Sequence, residues 1–103
     1  MHTFGFPVHL NELMKVCNKW SIPVVEDAAE SIGSTYHEKP TGSFGKLGIY
    51  SFNGNKSLTT GAGGIFATNN KYLYEKFFNF ANICKNKSGY GYNDIGFNYR
   101  MAN

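Results

Sequence analysis

The residues with the clearest chemical content lie in one stretch, Ser51-Phe52-Asn53-Gly54-Asn55-Lys56-Ser57-Leu58-Thr59-Thr60-Gly61-Ala62-Gly63-Gly64. A hydroxyl residue ends an apolar run, a lysine follows, and small polar residues lead into three glycines. A lysine in a tight, semi-buried turn is poorly hydrated, and its free amine can attack an aldehyde to form a Schiff base. Three chemistries compete for it. A phosphate-binding P-loop requires Gly-Lys followed by Ser or Thr, but Asn55 precedes Lys56. A dinucleotide fingerprint requires G-x-G-x-x-G opening a helix, whereas Gly61, Gly63 and Gly64 are spaced differently and open a strand-like run. The third is a lysine carrying pyridoxal phosphate. That cofactor needs a carboxylate for its pyridine nitrogen, and a hydroxyl and backbone amides for its phosphate. Asp27, Ser51 and the glycines are candidates for these roles.

The surrounding elements must position these groups. Residues 1–9 read as a strand end and a turn. Leu10, Leu13, Met14, Cys17 and Trp20 recur at helical spacing, with Asn11 as the expected cap. Pro23 should end that helix near Trp20-Ser21, because the residue before proline disfavours helix. Ile22-Pro23-Val24-Val25 then reads as a strand buried on both faces, as in a parallel sheet. It ends in Glu26-Asp27, at the carboxyl edge where α/β sheets bind ligands. The alternative role for Asp27 is to cap a helix over 28–33.

Residues 34–42 read as an exposed hairpin with His37 at its tip, and 47–52 and 64–68 as strands. Asn69-Asn70 offers a turn and cap for an amphipathic helix from Lys71 to Ala81. Leu73, Phe77 and Ala81 lie on one face of that helix, with Tyr74 and Phe78 beside them. Asn82 to Asn93 reads as a mobile polar loop.

Composition narrows the class. A chain of 103 residues is one domain at most, or part of one. A net charge of +3 is too weak to argue for nucleic acid, and Lys71, Lys76, Lys85 and Lys87 suit a solvated helix face and loop. Cys17 and Cys84 lack C-x-x-C spacing and read as free thiols of a reducing compartment. His2, His9 and His37 have no partner at metal-ligand spacing, so no metal site is expected. No run approaches a membrane span, and the start lacks a signal-peptide pattern, so the expectation is a cytoplasmic protein.

Five blocks in order carry a family resemblance: Val25-Glu26-Asp27-Ala28-Ala29-Glu30, Gly42-Ser43-Phe44-Gly45, Ser51-Phe52-Asn53-Gly54-Asn55-Lys56, Gly61-Ala62-Gly63-Gly64 and Gly96-Phe97-Asn98-Tyr99-Arg100-Met101. Together with His2-Thr3-Phe4-Gly5-Phe6-Pro7, they make the chain resemble the DegT/DnrJ/EryC1/StrS sugar aminotransferases. The resemblance implies the large α/β domain of the fold-type I aminotransferases, with a mostly parallel sheet and flanking helices, in a homodimer. It implies pyridoxal 5'-phosphate bound covalently by Lys56, with Asp27 on the pyridinium nitrogen and Ser51 on the phosphate. Ala29 would lie near the ring, and Glu30 near the ring hydroxyl or the sugar. Asn98 would reach the neighbouring subunit's phosphate, assisted by Arg100.

The implied reaction transfers an amino group, usually from glutamate, to a nucleotide-linked keto sugar for surface polysaccharides. Glu30 and the Asn-Gly-Asn-Lys sequence look most like members acting on N-acetylated 4-keto sugar nucleotides. Family members are several times longer. Residues 1–103 are therefore expected to be a fragment of the cofactor-binding large domain, lacking the N-terminal part and the C-terminal small domain. The alternative is a non-catalytic remnant or interaction module.

Overall fold

The structure, a computed structural model, describes residues 1–101. The chain divides into two compact units, Met1–Asn69 and Asn70–Asn103.

The first unit opens with a 3-10 turn at Thr3–Gly5 where a strand end was expected. Phe4 adopts φ +52° there, which extended pairing does not permit. Helix α1 runs Leu10–Lys19, and His9 rather than Asn11 precedes it. The His9 side chain makes no capping bond; its carbonyl accepts the Leu13 N–H at 3.1 Å. The helix ends at Trp20 as expected, with Ser21 in the left-handed region and the Ile22 N–H returning to the Cys17 carbonyl.

Strand β1 is Val25–Asp27, later than the run the apolar pattern suggested. Nor is it apolar on both faces: Ile22 and Val25 are more than half exposed, while Glu26 is buried. The sheet order is β1-β4-β5, with β4 spanning Leu47–Ser51 and β5 Gly64–Ala67, so among the described residues β1 is an edge strand.

β1 pairs with β4 in parallel, Asp27 opposite Ile49, and β4 pairs with β5 antiparallel, Ser51 opposite Gly64. The class is α/β, and the sheet is mixed, with one parallel and one antiparallel pairing. A parallel pair needs a long crossover. Here it contains the expected hairpin, β2 (Thr35–Tyr36) against β3 (Lys39–Pro40), with His37 exposed at its turn.

The centre of this unit is as much polar as apolar. Leu10, Ala28 and Phe52 are buried together with His2, Glu26, Ser31 and Thr41. Buried polar groups require partners. Thr41 Oγ1 donates to the Ser31 carbonyl at 2.9 Å and lies 2.9 Å from Ser31 Oγ.

The second unit contains helix α2, Lys71–Ala81, capped as expected by Asn70, whose Oδ1 accepts the Leu73 N–H at 3.0 Å. Ala81 is buried, but Tyr74, Phe77 and Phe78 keep much of their surface in solvent. The segment read as a polar loop is pinned by bridges Lys85↔Tyr92 and Asn82↔Asn98. Ile83 and Cys84 turn the chain through positive φ, and the Phe97 N–H returns to the Phe80 carbonyl at 2.7 Å. Among the described residues, no helix is long and apolar enough to cross a membrane.

Candidate active site

Parallel pairing puts the carboxyl ends of β1 and β4 on one sheet edge, so Asp27 and Ser51 emerge on the same side. The Asp27 carboxylate accepts the Ala29 N–H at 3.1 Å, and the Ala28 N–H donates to the Ile49 carbonyl at 2.8 Å. Asp27 therefore closes a turn rather than capping a helix, since residues 28–33 form turns. Ala29 is half-buried in that turn.

Ser51 Oγ accepts the Asn53 N–H at 3.3 Å, and the chain then enters the lysine loop. The loop folds on Phe52, which is buried; its carbonyl accepts both Thr59 Oγ1 at 2.9 Å and the Thr60 N–H at 3.1 Å. The Lys56 N–H closes a turn onto the Asn53 carbonyl at 3.0 Å. Gly61, at φ +81°, reverses the chain toward β5, a conformation for which glycine has no steric cost.

The Lys56 side chain is 17% exposed, and its Nζ lies 3.6 Å from Glu30 Oε1. Glu30 Oε2 also accepts the Phe4 N–H at 2.8 Å. Phe4, Glu30, Asn55, Lys56 and Ser57 line a cleft of about 340 Å3. The structure thus brings Lys56 and Glu30 into contact, while the side chains of Asp27 and Ser51 engage Ala29 and Asn53 along the sheet edge. Asn98 and Arg100 belong to the second unit, where both are exposed and Arg100 Nε donates to Asn98 Oδ1 at 3.2 Å.

Residue types and spacing did not disclose the role of Glu26 and His2. Glu26 is 2% exposed and accepts four hydrogen bonds. Oε2 takes His2 Nε2 at 3.1 Å and the Gly42 N–H at 2.8 Å. Oε1 takes the Phe44 and Gly45 N–H groups, each at 2.5 Å. His2 Nδ1 accepts the Val8 N–H at 3.3 Å, which assigns the ring proton to Nε2 and makes it the donor to Glu26.

Burial alone would raise the Glu26 pKa. The Gly45 and Gly42 amides, then His2 and the Phe44 amide, outweigh it and hold the carboxyl below its ordinary value of 4.5. Burial, followed by the Glu26 charge, pushes the nearby Tyr50 hydroxyl up. The available sequence signal was Gly42-Ser43-Phe44-Gly45, whose glycines let the main chain wrap a carboxylate.

The family profile of the DegT/DnrJ/EryC1/StrS aminotransferases matches residues 1–103. The chain belongs to that family. It is 38% identical over its whole length to EpsN of Bacillus subtilis (strain 168), provisionally named a pyridoxal phosphate-dependent aminotransferase, and covers 27% of that protein. It is 37% identical over its whole length to the GDP-perosamine synthase of Escherichia coli O157:H7, covering 29% of it. Helicobacter pylori PseC, an aminotransferase involved in the biosynthesis of pseudoaminic acid, superposes at a TM-score of 0.91. That match is 30% identical and covers 97% of this chain and 28% of PseC. The likeness establishes the fold-type I aminotransferase architecture for this family member. The chain spans between a quarter and a third of the length of these relatives.

Proposed function

We propose that this chain carries the cofactor-attachment segment of a pyridoxal phosphate-dependent aminotransferase acting on a nucleotide-linked keto sugar. The supporting observation is Lys56 itself, a largely buried amine held 3.6 Å from a carboxylate at the wall of an open cleft. The functional groups present suit the cofactor: the Lys56 amine at the cleft for the aldehyde, and along the sheet edge the Asp27 carboxylate for the ring nitrogen and the Ser51 hydroxyl for the phosphate. When bound, the cofactor supplies an electron sink for the carbon that gains or loses its amino group.

The chain's own residues do the rest. Lys56 Nζ would hold the cofactor and would move a proton to and from the substrate carbon. Asp27, at the end of β1, holds a proton on the ring nitrogen by its negative charge. Ser51 Oγ donates to the phosphate, and the small side chain of Ala29 lets the ring approach the turn after β1. Glu30 orients Lys56 and borders the sugar. Asn98 binds the phosphate of a second subunit in a homodimer, with Arg100 beside it.

We assign residues 1–103 to the large domain, with glutamate as amino donor and a polysaccharide precursor as product. The names of GDP-perosamine synthase and PseC support the sugar substrate. The test is chemical trapping. The purified chain is mixed with pyridoxal phosphate, reduced with borohydride and mapped by mass spectrometry. A reduced adduct at Lys56 is expected; a chain with no adduct there defeats the reading. An adduct without turnover of nucleotide-linked keto sugars assigns cofactor attachment to this segment and catalysis to a longer protein.

A further inference from the structure

Glu26 and Asp27 are consecutive in β1, and consecutive strand side chains point to opposite faces. Asp27 faces the turn after the strand. Glu26 faces the protein interior, where its carboxylate gathers His2 and the Gly42, Phe44 and Gly45 amides. Three of those donors lie just before β4. The carboxylate thus fastens the lead-in of β4 to β1.

The local sequence is built for this contact. Gly42 sits at φ +82°, and a Cβ there would meet the Tyr50 hydroxyl at 2.5 Å; a Cβ on Gly45 would lie 2.6 Å from the Val24 carbonyl oxygen. The Tyr50 hydroxyl in turn donates to the Thr41 carbonyl, closing the loop from the β4 side. Consecutive main-chain N–H groups converging on an anion form a nest.

The consequence reaches the sheet edge. In the observed register Glu26 lies opposite Gly48 and Asp27 opposite Ile49, and Ser51 ends β4 two residues further on. A slip of one residue would carry Ser51 about 3.3 Å along β1 and turn every β4 side chain to the other face. We propose that Glu26 is a positioning residue for the site. Its buried carboxylate, shared between His2 and the Gly42–Gly45 main chain, sets the β1/β4 register that presents Asp27 and Ser51 together. This inference rests on the cofactor reading for the purpose of that edge, not for the register itself.

The experiment compares Glu26→Gln with Thr41→Val in the full chain. Glutamine keeps the shape but places an NH2 group against N–H donors. Thr41 is equally buried and stands beside Gly42, and its hydroxyl binds Ser31 and Ser34 rather than Glu26. The first readout is amide exchange at Ala28, bonded to Ile49, and Ala29, bonded to the Asp27 carboxylate. Exchange there is expected to quicken about tenfold in Glu26→Gln and to change little in Thr41→Val. The second readout is the visible absorbance of pyridoxal phosphate bound at Lys56, whose maximum should shift in Glu26→Gln alone.

Equal exchange in the two variants, or equal spectra, reduces Glu26 to general support of the fold and overturns the proposal. A wild-type chain that forms no adduct at Lys56 defeats the cofactor reading, and the exchange comparison still decides the role of Glu26. If Glu26→Gln does not fold, His2→Ala removes one of the four donors. It should quicken the same two amides by about threefold, and no change there overturns the proposal.

Discussion

Glu26 and Glu30 stand four residues apart, and each meets a basic side chain, yet their surroundings are opposite. Glu26 has almost no exposure, all of its partners are main-chain amides or His2, and together these outweigh the cost of burial. Glu30 is 32% exposed, its contact with Lys56 is long at 3.6 Å, and the pair borders an open cleft. A buried carboxylate is tolerable only when its lone pairs are satisfied, and it then ties together the segments that satisfy it. A half-buried pair joined by a long contact at the wall of an open cleft contributes little stability and can exchange partners. The first arrangement holds geometry; the second leaves an amine accessible for chemistry.

The sharpest test of that division is Lys56→Ala. It should abolish borohydride-trapped pyridoxal phosphate while leaving the far-UV circular dichroism unchanged; persistent labelling elsewhere in the chain would move the attachment site. Next in size is Glu26→Ala, expected to lower the unfolding free energy by about 3–5 kcal/mol, since it strands several buried donors. Urea or thermal unfolding measures it, and a loss comparable to that of an exposed residue would erase the contrast.

Acid titration probes the same carboxylate. Its pKa is lower folded than unfolded, so its stabilisation is full above the ordinary value of 4.5 and fades as pH falls through the lowered folded value. Stability measured down that window should fall in the wild type and fall less in Glu26→Gln, with His2 and Tyr50 as the titratable neighbours. His2→Ala should cost about 1–3 kcal/mol, because it removes a buried hydrogen bond to a charged group. Smallest is Glu30→Gln, expected to change stability by less than about 1 kcal/mol in the same unfolding assay. A larger loss would place Glu30 with Glu26 as a structural carboxylate.

Local signals explain why parts of the fold were legible in advance. Helix α2 repeats its apolar residues at helical spacing behind a capping Asn70, and the cap forms. Strands β4 and β5 are short apolar runs separated by glycines, and the 35–40 hairpin has its turn at His37-Glu38, both at positive φ. Each depends on neighbours within a few residues. Asn11 has the residue type of a cap, yet α1 begins at Leu10, whose side chain is fully buried. Ile22–Val25 has the apolar pattern of a buried strand, yet β1 spans Val25–Asp27. Its ladder begins only at Val25, where β4 offers a partner.

Lys56, Asp27 and Ser51 are candidates from residue type and order, because the proposed Schiff-base amine, ring-nitrogen carboxylate and phosphate hydroxyl need particular functional groups, and the ordered blocks carry the family membership. The sequence by itself thus determined the α/β class, the order of the motifs and the candidate residues for the proposed chemistry. Only the tertiary structure decided that Glu30 is the carboxylate touching Lys56, that Asp27 closes a turn, and that Glu26 and His2 are buried. Charged residues are normally exposed, and nothing adjacent to Glu26 in the chain announces otherwise. Its partners lie 16 to 24 residues away: the Gly42, Phe44 and Gly45 amides reach it beside the β1/β4 pairing, and His2 reaches it where the start of the chain bonds to β1.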